Sequence, residues 1–301
     1  MKNKISHHLF LALTAIFVLS CTSQTFDQPQ EFATGFVSAE TLNLGHDTYM
    51  QYCMQCHGVN GDGQGPAAQG SEPLPRNFKS GIFKFGSVSS GELPSDYDLK
   101  KTIRYGLRGT PMLPWDISNE RLDAVVQYIK TFSPRWKEEK PGTPQELTED
   151  PWPAKGEGYK EMAILQGKKV YHGFAQCYTC HPSYASVEEI NQYSKELTGN
   201  GVNSIRENPH LSTLLDSSHE VKIMPPDFTK NYIKTGGEIS EIYRILGAGI
   251  GGTAMPAWKG LLSPKGDNAE SEQNIWALSY YVNYLHGLKY DMKARKDFFT
   301  R

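Results

Sequence analysis

The chain has 301 residues, 38% of them hydrophobic and 21% charged, with a formal net charge of −2. That balance is globular and the length suggests about two domains, while a charge so near zero excludes any strong pull toward nucleic acid or an anionic membrane surface. Four of the five cysteines fall in two C-x-x-C-H motifs, and Cys21 stands apart.

Residues 1–20 read as an export signal: Lys2 and Lys4, an apolar run from Leu9 to Leu19, then the small Ser20. The run is about half of the roughly 20 residues that cross a bilayer. Val18-Leu19-Ser20-Cys21 resembles a bacterial lipoprotein signal, with valine where leucine is usual, and the expectation is a lipidated Cys21 holding the mature chain to a membrane surface on the periplasmic side. The alternative is an ordinary cleaved signal with an idle cysteine. Residues 21–40 are read as a polar tether. No other stretch approaches spanning length, since Ile275 to Leu288 is interrupted by Ser279, Asn283 and His286.

The first folded unit is expected over 41–135. Gly45 precedes Tyr49 by four residues and leads at helical spacing into Cys53-Met54-Gln55-Cys56-His57. Cysteines at i and i+3 share one helix face, so both thiols can add to the vinyl groups of one haem, and the histidine at i+4 can lie under the same porphyrin as the proximal iron ligand. A zinc ribbon would also pair two C-x-x-C motifs, but has no reason to follow each with histidine. The turn-rich loop from Gly58 to Pro66 is read as wrapping that histidine, with the Pro66 carbonyl as candidate acceptor for its second ring nitrogen. Calcium binding is the lesser reading, because the loop carries too few carboxylates.

Further on, Gly106-Leu107-Arg108-Gly109-Thr110-Pro111-Met112 sets a methionine in a Gly/Pro-rich loop, with Trp115 three residues later. A thioether in such a loop suits iron, the alternative being a methionine that fills a packing gap. Leu122, Val125, Val126, Ile129 and Phe132 then form the apolar face of a closing helix. Residues 136–158, with Pro141, Pro144, Pro151 and Pro153, have the composition of a semi-rigid linker, and Trp136 and Trp152 are candidates for docking it.

The second unit, 159–301, repeats the order. Gly167 precedes Tyr171, then come Cys177-Tyr178-Thr179-Cys180-His181, and Pro226-Asp227-Phe228 echoes Pro75-Arg76-Asn77-Phe78. The loop Gly249 to Met255 copies Gly106 to Met112, with Trp258 in the place of Trp115. Histidine and methionine are separated by 55 residues in the first unit (112 minus 57) and by 74 in the second (255 minus 181). The excess lies in the polar stretch Tyr184 to Val221, read as a surface loop, and His210, His219 and Met224 are competitors of Met255. The basic tail from Lys289 to Arg301 is read as a solvated helix end, with a partner-docking patch as the alternative.

Each unit therefore resembles a class I cytochrome c domain, and the pair resembles bacterial dihaem cytochromes c, including those built like the dihaem subunits of terminal oxidases. The likeness implies a mostly α fold of two tandem domains, each wrapped around one covalent c-type haem on Cys53 and Cys56 or on Cys177 and Cys180. It implies axial pairs His57/Met112 and His181/Met255. Arg76, Arg104, Arg108, Trp115 and Trp258 are candidate neighbours of the haem propionates, with an ordinary solvated surface as the alternative for the arginines. Two six-coordinate irons leave no site for substrate, so the function expected is single-electron transfer between redox-protein partners, a respiratory donor and acceptor. The alternatives are a subunit fixed in an oxidase or dehydrogenase complex and, less favoured, a dihaem peroxidase.

Overall fold

In the computed structural model residues 25–219 and 221–300 are described. The export signal and Cys21 lie outside the described residues. A short hairpin, β1 (Gln30–Phe32) and β2 (Gly35–Val37), pairs antiparallel with Phe32 opposite Gly35. Behind it come α1 (Ala39–Tyr52), α2 (Met54–His57), α3 (Asp96–Tyr105), α4 (Asn119–Lys130) and α5 (Arg135–Glu138). The second unit has α6 (Tyr159–Lys169), a π-helical turn (Val170–Phe174), α7 (Val187–Thr198), α8 (Ile239–Ala248), α9 (Asn268–Gly287) and α10 (Met292–Phe299). The fold is mostly helical. None of the described helices is long and apolar enough to cross a membrane.

Helix starts follow local chemistry. Ser38 caps α1 by accepting from Thr41 N–H, and Ser95 with Asp98, like Ser186 with Glu189, closes a reciprocal capping box. In each unit the helix leading to the C-x-x-C-H motif packs on the closing helix, and a glycine sets the distance. A Cβ on Gly45 would stand 2.2 Å from the Ala124 carbonyl, and one on Gly167 2.1 Å from that of Ala277. Any side chain there forces the helices apart. The tyrosines four residues on fill the cores: Tyr49 packs against Tyr128, and Tyr171 against Tyr281, all four buried.

Two sequence expectations are corrected. The tether is tied to the first unit within its described part: Phe26 packs edge-on to Tyr128, Asn43 bonds both N–H and C=O of Phe26, and Phe32 is buried. Aromatic side chains in a polar stretch find the open edge of the first core. The loop reading of Tyr184 to Val221 fails over α7, where Ile190 and Tyr193 face inward and Ser186-x-x-Glu189 supplies the start. The linker is stapled at both ends, with Trp136 in the first core and Trp152 in the second. Its backbone bonds Leu93 and Ser87 of the first unit, and Thr148 reaches Tyr243 and Glu272 of the second.

Candidate haem sites

In the first unit Cys53, Cys56 and His57 are brought together by the short α2, whose His57 N–H is bonded to the Cys53 carbonyl at 2.9 Å. The corresponding His181 N–H to Cys177 C=O distance is also 2.9 Å. All four cysteines are unpaired thiols. Burial pushes the Cys53 and Cys177 thiols up to about 12, with Cys56 and Cys180 adding repulsion beside them. Such sulfurs are poorly placed as zinc thiolates and well placed as neutral thioethers. Among the described residues no three His, Cys, Asp or Glu side chains form a metal-holding group.

Both candidate proximal imidazoles are oriented the same way. His57 Nδ1–H donates to the Arg76 carbonyl and His181 Nδ1–H to the Pro226 carbonyl, each at 3.0 Å. The rings stack on Phe78 and Phe228, at 4.5 and 4.8 Å between centroids. Burial lowers both pKa values, so both rings are neutral with Nε2 as the remaining nitrogen, the form that ligates iron. The acceptor is thus Arg76 O and not Pro66 O. Pro66 opens an exposed 3-10 turn, and the loop before it grips the motif by backbone instead: Gly63 N–H bonds His57 O at 2.8 Å and Gly65 N–H bonds Cys56 O at 3.1 Å. Counting back two residues from the shared phenylalanine would have found both acceptors in the sequence.

The second unit lacks the glycine loop and replaces it with a side chain. Arg206, within the long insertion, donates to the carbonyls of Tyr178 (2.7 Å), His181 (3.1 Å) and Pro209 (3.0 Å). Thr213 N–H bonds Cys180 O at 2.9 Å, the counterpart of Gly65 on Cys56. Nothing local in the sequence marked Arg206, because its partners are carbonyls that only the folded chain gathers. The anchoring tyrosines complete the parallel: Tyr49 Oη–H donates to Gly58 O and Tyr171 Oη–H to Pro182 O, the residue after each histidine.

The methionine loops agree bond for bond. Leu107 N–H bonds Met112 O and Ile250 N–H bonds Met255 O, at 2.8 and 3.1 Å. Thr110 and Thr253 each donate to the loop's second residue at 2.8 Å and accept from the methionine N–H at 3.1 Å. Trp115 and Trp258 N–H groups are tied to Ile103 O and Leu246 O in the preceding helices. Met112 and Trp115 join Cys53 and Phe78 at one core, while Met255 and Trp258 join Cys177 and Phe228 at the other. The buried indole Nε1–H of Trp258 has no acceptor among the described residues, as a donor meant for a cofactor's oxygen would. Of the competing residues, His210 and Met224 are exposed, and His219 is held elsewhere. Arg104 is committed to Ile117 O and Asn119.

The units meet through these same loops. Arg108 N–H bonds Lys234 O at 2.8 Å, and Gly251 N–H bonds Lys84 O at 3.1 Å. Arg108 and Gly251 each lie two residues past the first loop glycine (106 and 249), and Lys84 and Lys234 each lie six past the stacking phenylalanine (78 and 228). The contact is therefore reciprocal, as across a two-fold axis. His219 crosses it too, accepting from Arg76 at Nδ1 and donating from Nε2 to Gly251 O.

Residues 40–129 match the family model for cytochrome c oxidase, cbb3-type, subunit III. A chain of the Kuenenia stuttgartiensis reducing HAO-like protein complex is 29% identical, with a TM-score of 0.62 over 80% of this chain and 95% of that one. No curated protein matches. These likenesses, laid on the two sites just described, support a c-type cytochrome with covalently attached haem and an electron-transfer role.

Proposed function

We propose that the protein is a two-haem electron carrier, with haem on Cys53/Cys56 and on Cys177/Cys180 and axial pairs His57/Met112 and His181/Met255. The observation that carries this reading is the duplicated site, in which the histidine supports and the methionine loops repeat hydrogen bond by hydrogen bond although the intervening chain differs by 19 residues (74 minus 55). A haem held by histidine and methionine changes oxidation state by one electron and offers no open position to a substrate. The chain's own residues orient each imidazole, present each thioether and bury the ring; Trp115 and Trp258 are the candidate donors to propionates. Reciprocal packing of each methionine loop on the other unit supports exchange of electrons between the units before transfer to a partner.

The similar chain described above comes from a reducing HAO-like protein complex, which favours a docked partner over free diffusion. An anchor at Cys21, on the periplasmic face of a membrane, fits that arrangement. A pyridine haemochrome assay should give two haems per chain, and the reduced-minus-oxidised spectrum should be low-spin with the weak methionine-to-iron band. High-spin haem in the resting protein would falsify the carrier reading. Fatty-acid labelling should vanish in Cys21→Ser.

A further inference from the structure

Three cations are gathered where the units meet, and none pairs with an acid among the described residues. Lys84 and Lys234 occupy equivalent places on the two sides, each with its carbonyl bonded to the other unit's methionine loop. Neither ammonium makes a hydrogen bond or ion pair with the described residues, and Arg76 gives its guanidinium to His219. Elsewhere half-buried or buried lysines find carboxylates: Lys101 with Glu241, Lys130 with Asp96 and Lys168 with Glu189, at 2.6 to 2.7 Å. Burial pushes the Lys84 ammonium down to about 8, with Arg76 and Lys234 adding repulsion, and burial also lowers Lys234. Partly desolvated like charges in one place are costly unless an anion joins them.

We propose that Arg76, Lys84 and Lys234 form one seat, shared between the units, for the propionate carboxylates of both haems, so that each cation sets the redox potential of the haem in either unit. This rests on the two-haem reading. Arg76 belongs to both halves of the seat, since its carbonyl holds His57 while its guanidinium reaches, through His219, the Gly251 carbonyl of the second methionine loop. The reciprocal backbone bonds keep Lys84 and Lys234 in place on either side of the axis. A glycine at 251 is required for that approach, because a Cβ there would stand 2.0 Å from the Phe83 carbonyl. A cation beside a haem favours the reduced, more negative form, and a shared cation does so for both.

The test is a spectroelectrochemical titration of the intact holoprotein and of Lys84→Gln, Lys234→Gln and exposed Lys79→Gln. Haem content is measured first. One haem per chain overturns the two-haem reading and the seat with it; two haems leave the seat alone under test. The expected result is that Lys84→Gln and Lys234→Gln each lower both midpoint potentials, that Lys84→Arg restores them, and that Lys79→Gln moves neither. A shift confined to the haem of the substituted unit, or no shift in a variant with native circular dichroism, overturns the shared seat. The wild type is also titrated with and without inorganic phosphate at constant ionic strength. Unchanged potentials support the propionates, and a phosphate-dependent shift lost in Lys84→Gln assigns the cations to a free anion instead.

Discussion

The two candidate haem sites reach one geometry by different means. In the first unit the segment after His57 is short and glycine-rich, and backbone N–H groups of Gly63 and Gly65 satisfy the motif's carbonyls. In the second the same carbonyls are met by the Arg206 guanidinium and Thr213, delivered by an insertion that carries its own helix. Position 50, five residues past Gly45, is a methionine in the first unit, while its counterpart His172, five past Gly167, is a fully buried histidine. What stays constant is the part that the proposed function sets on iron: the imidazole bonded to a carbonyl, the ring stacked on phenylalanine, and the threonine-braced methionine. Support can be exchanged between backbone and side chain because a carbonyl accepts from either.

The comparison is sharpest at the methionines. Met112→Ala and Met255→Ala should each open one haem, and only one, to carbon monoxide; absorption difference spectra would show it, and a variant that still excludes the ligand would place another residue on that iron. Acid should separate the units next. His172 donates from Nδ1 to Lys168 O and accepts at Nε2 from Tyr184 N–H, and burial holds its pKa down at about 4. The unfolded chain binds that proton near pH 6.5, so stability is full above about 6.5 and is lost as pH falls toward 4, by about 3 kcal/mol in all. Thermal melts between pH 7 and 4 should show this slope for the second unit, and His172→Gln should flatten it.

Arg206→Ala removes a charged donor from buried carbonyls and should destabilise the second unit by roughly 1.5–3 kcal/mol. Proteolysis across residues 199–221 should quicken while the first haem's spectrum stays unchanged; equal damage to both units would mean that Arg206 braces something other than its own motif. The smallest effect is a test of sameness. Thr110→Val and Thr253→Val each delete two loop hydrogen bonds and should cost about 1–2 kcal/mol in either unit. Clearly unequal losses in denaturant unfolding would show that the matching loops are not under matching load.

Much of this was readable from residues in a row. C-x-x-C-H, the glycine four before an aromatic, and the methionine loop are local patterns whose spacing follows from helix and turn geometry. The glycine pattern reported a real constraint, since Gly45 and Gly167 leave no room for a Cβ against the partner helix. The Pro66 expectation failed because a turn's neighbourhood says nothing about which carbonyl lies over an imidazole; the chain comes back from Arg76, 19 residues on. The tether expectation failed for a related reason, since Phe26 and Phe32 are isolated in sequence and become core only beside Tyr128 and Trp136.

By itself the sequence determined the covalent chemistry, the duplication and the helical class, because each is written in short-range spacing that any fold must respect. Only the tertiary structure decided that Arg206 stands in for a glycine loop, that Arg76 and Pro226 orient the histidines, and that Lys84 and Lys234 come to lie on either side of one axis. Those are contacts between residues far apart in the chain, and their energies exist only once packing has brought the groups together.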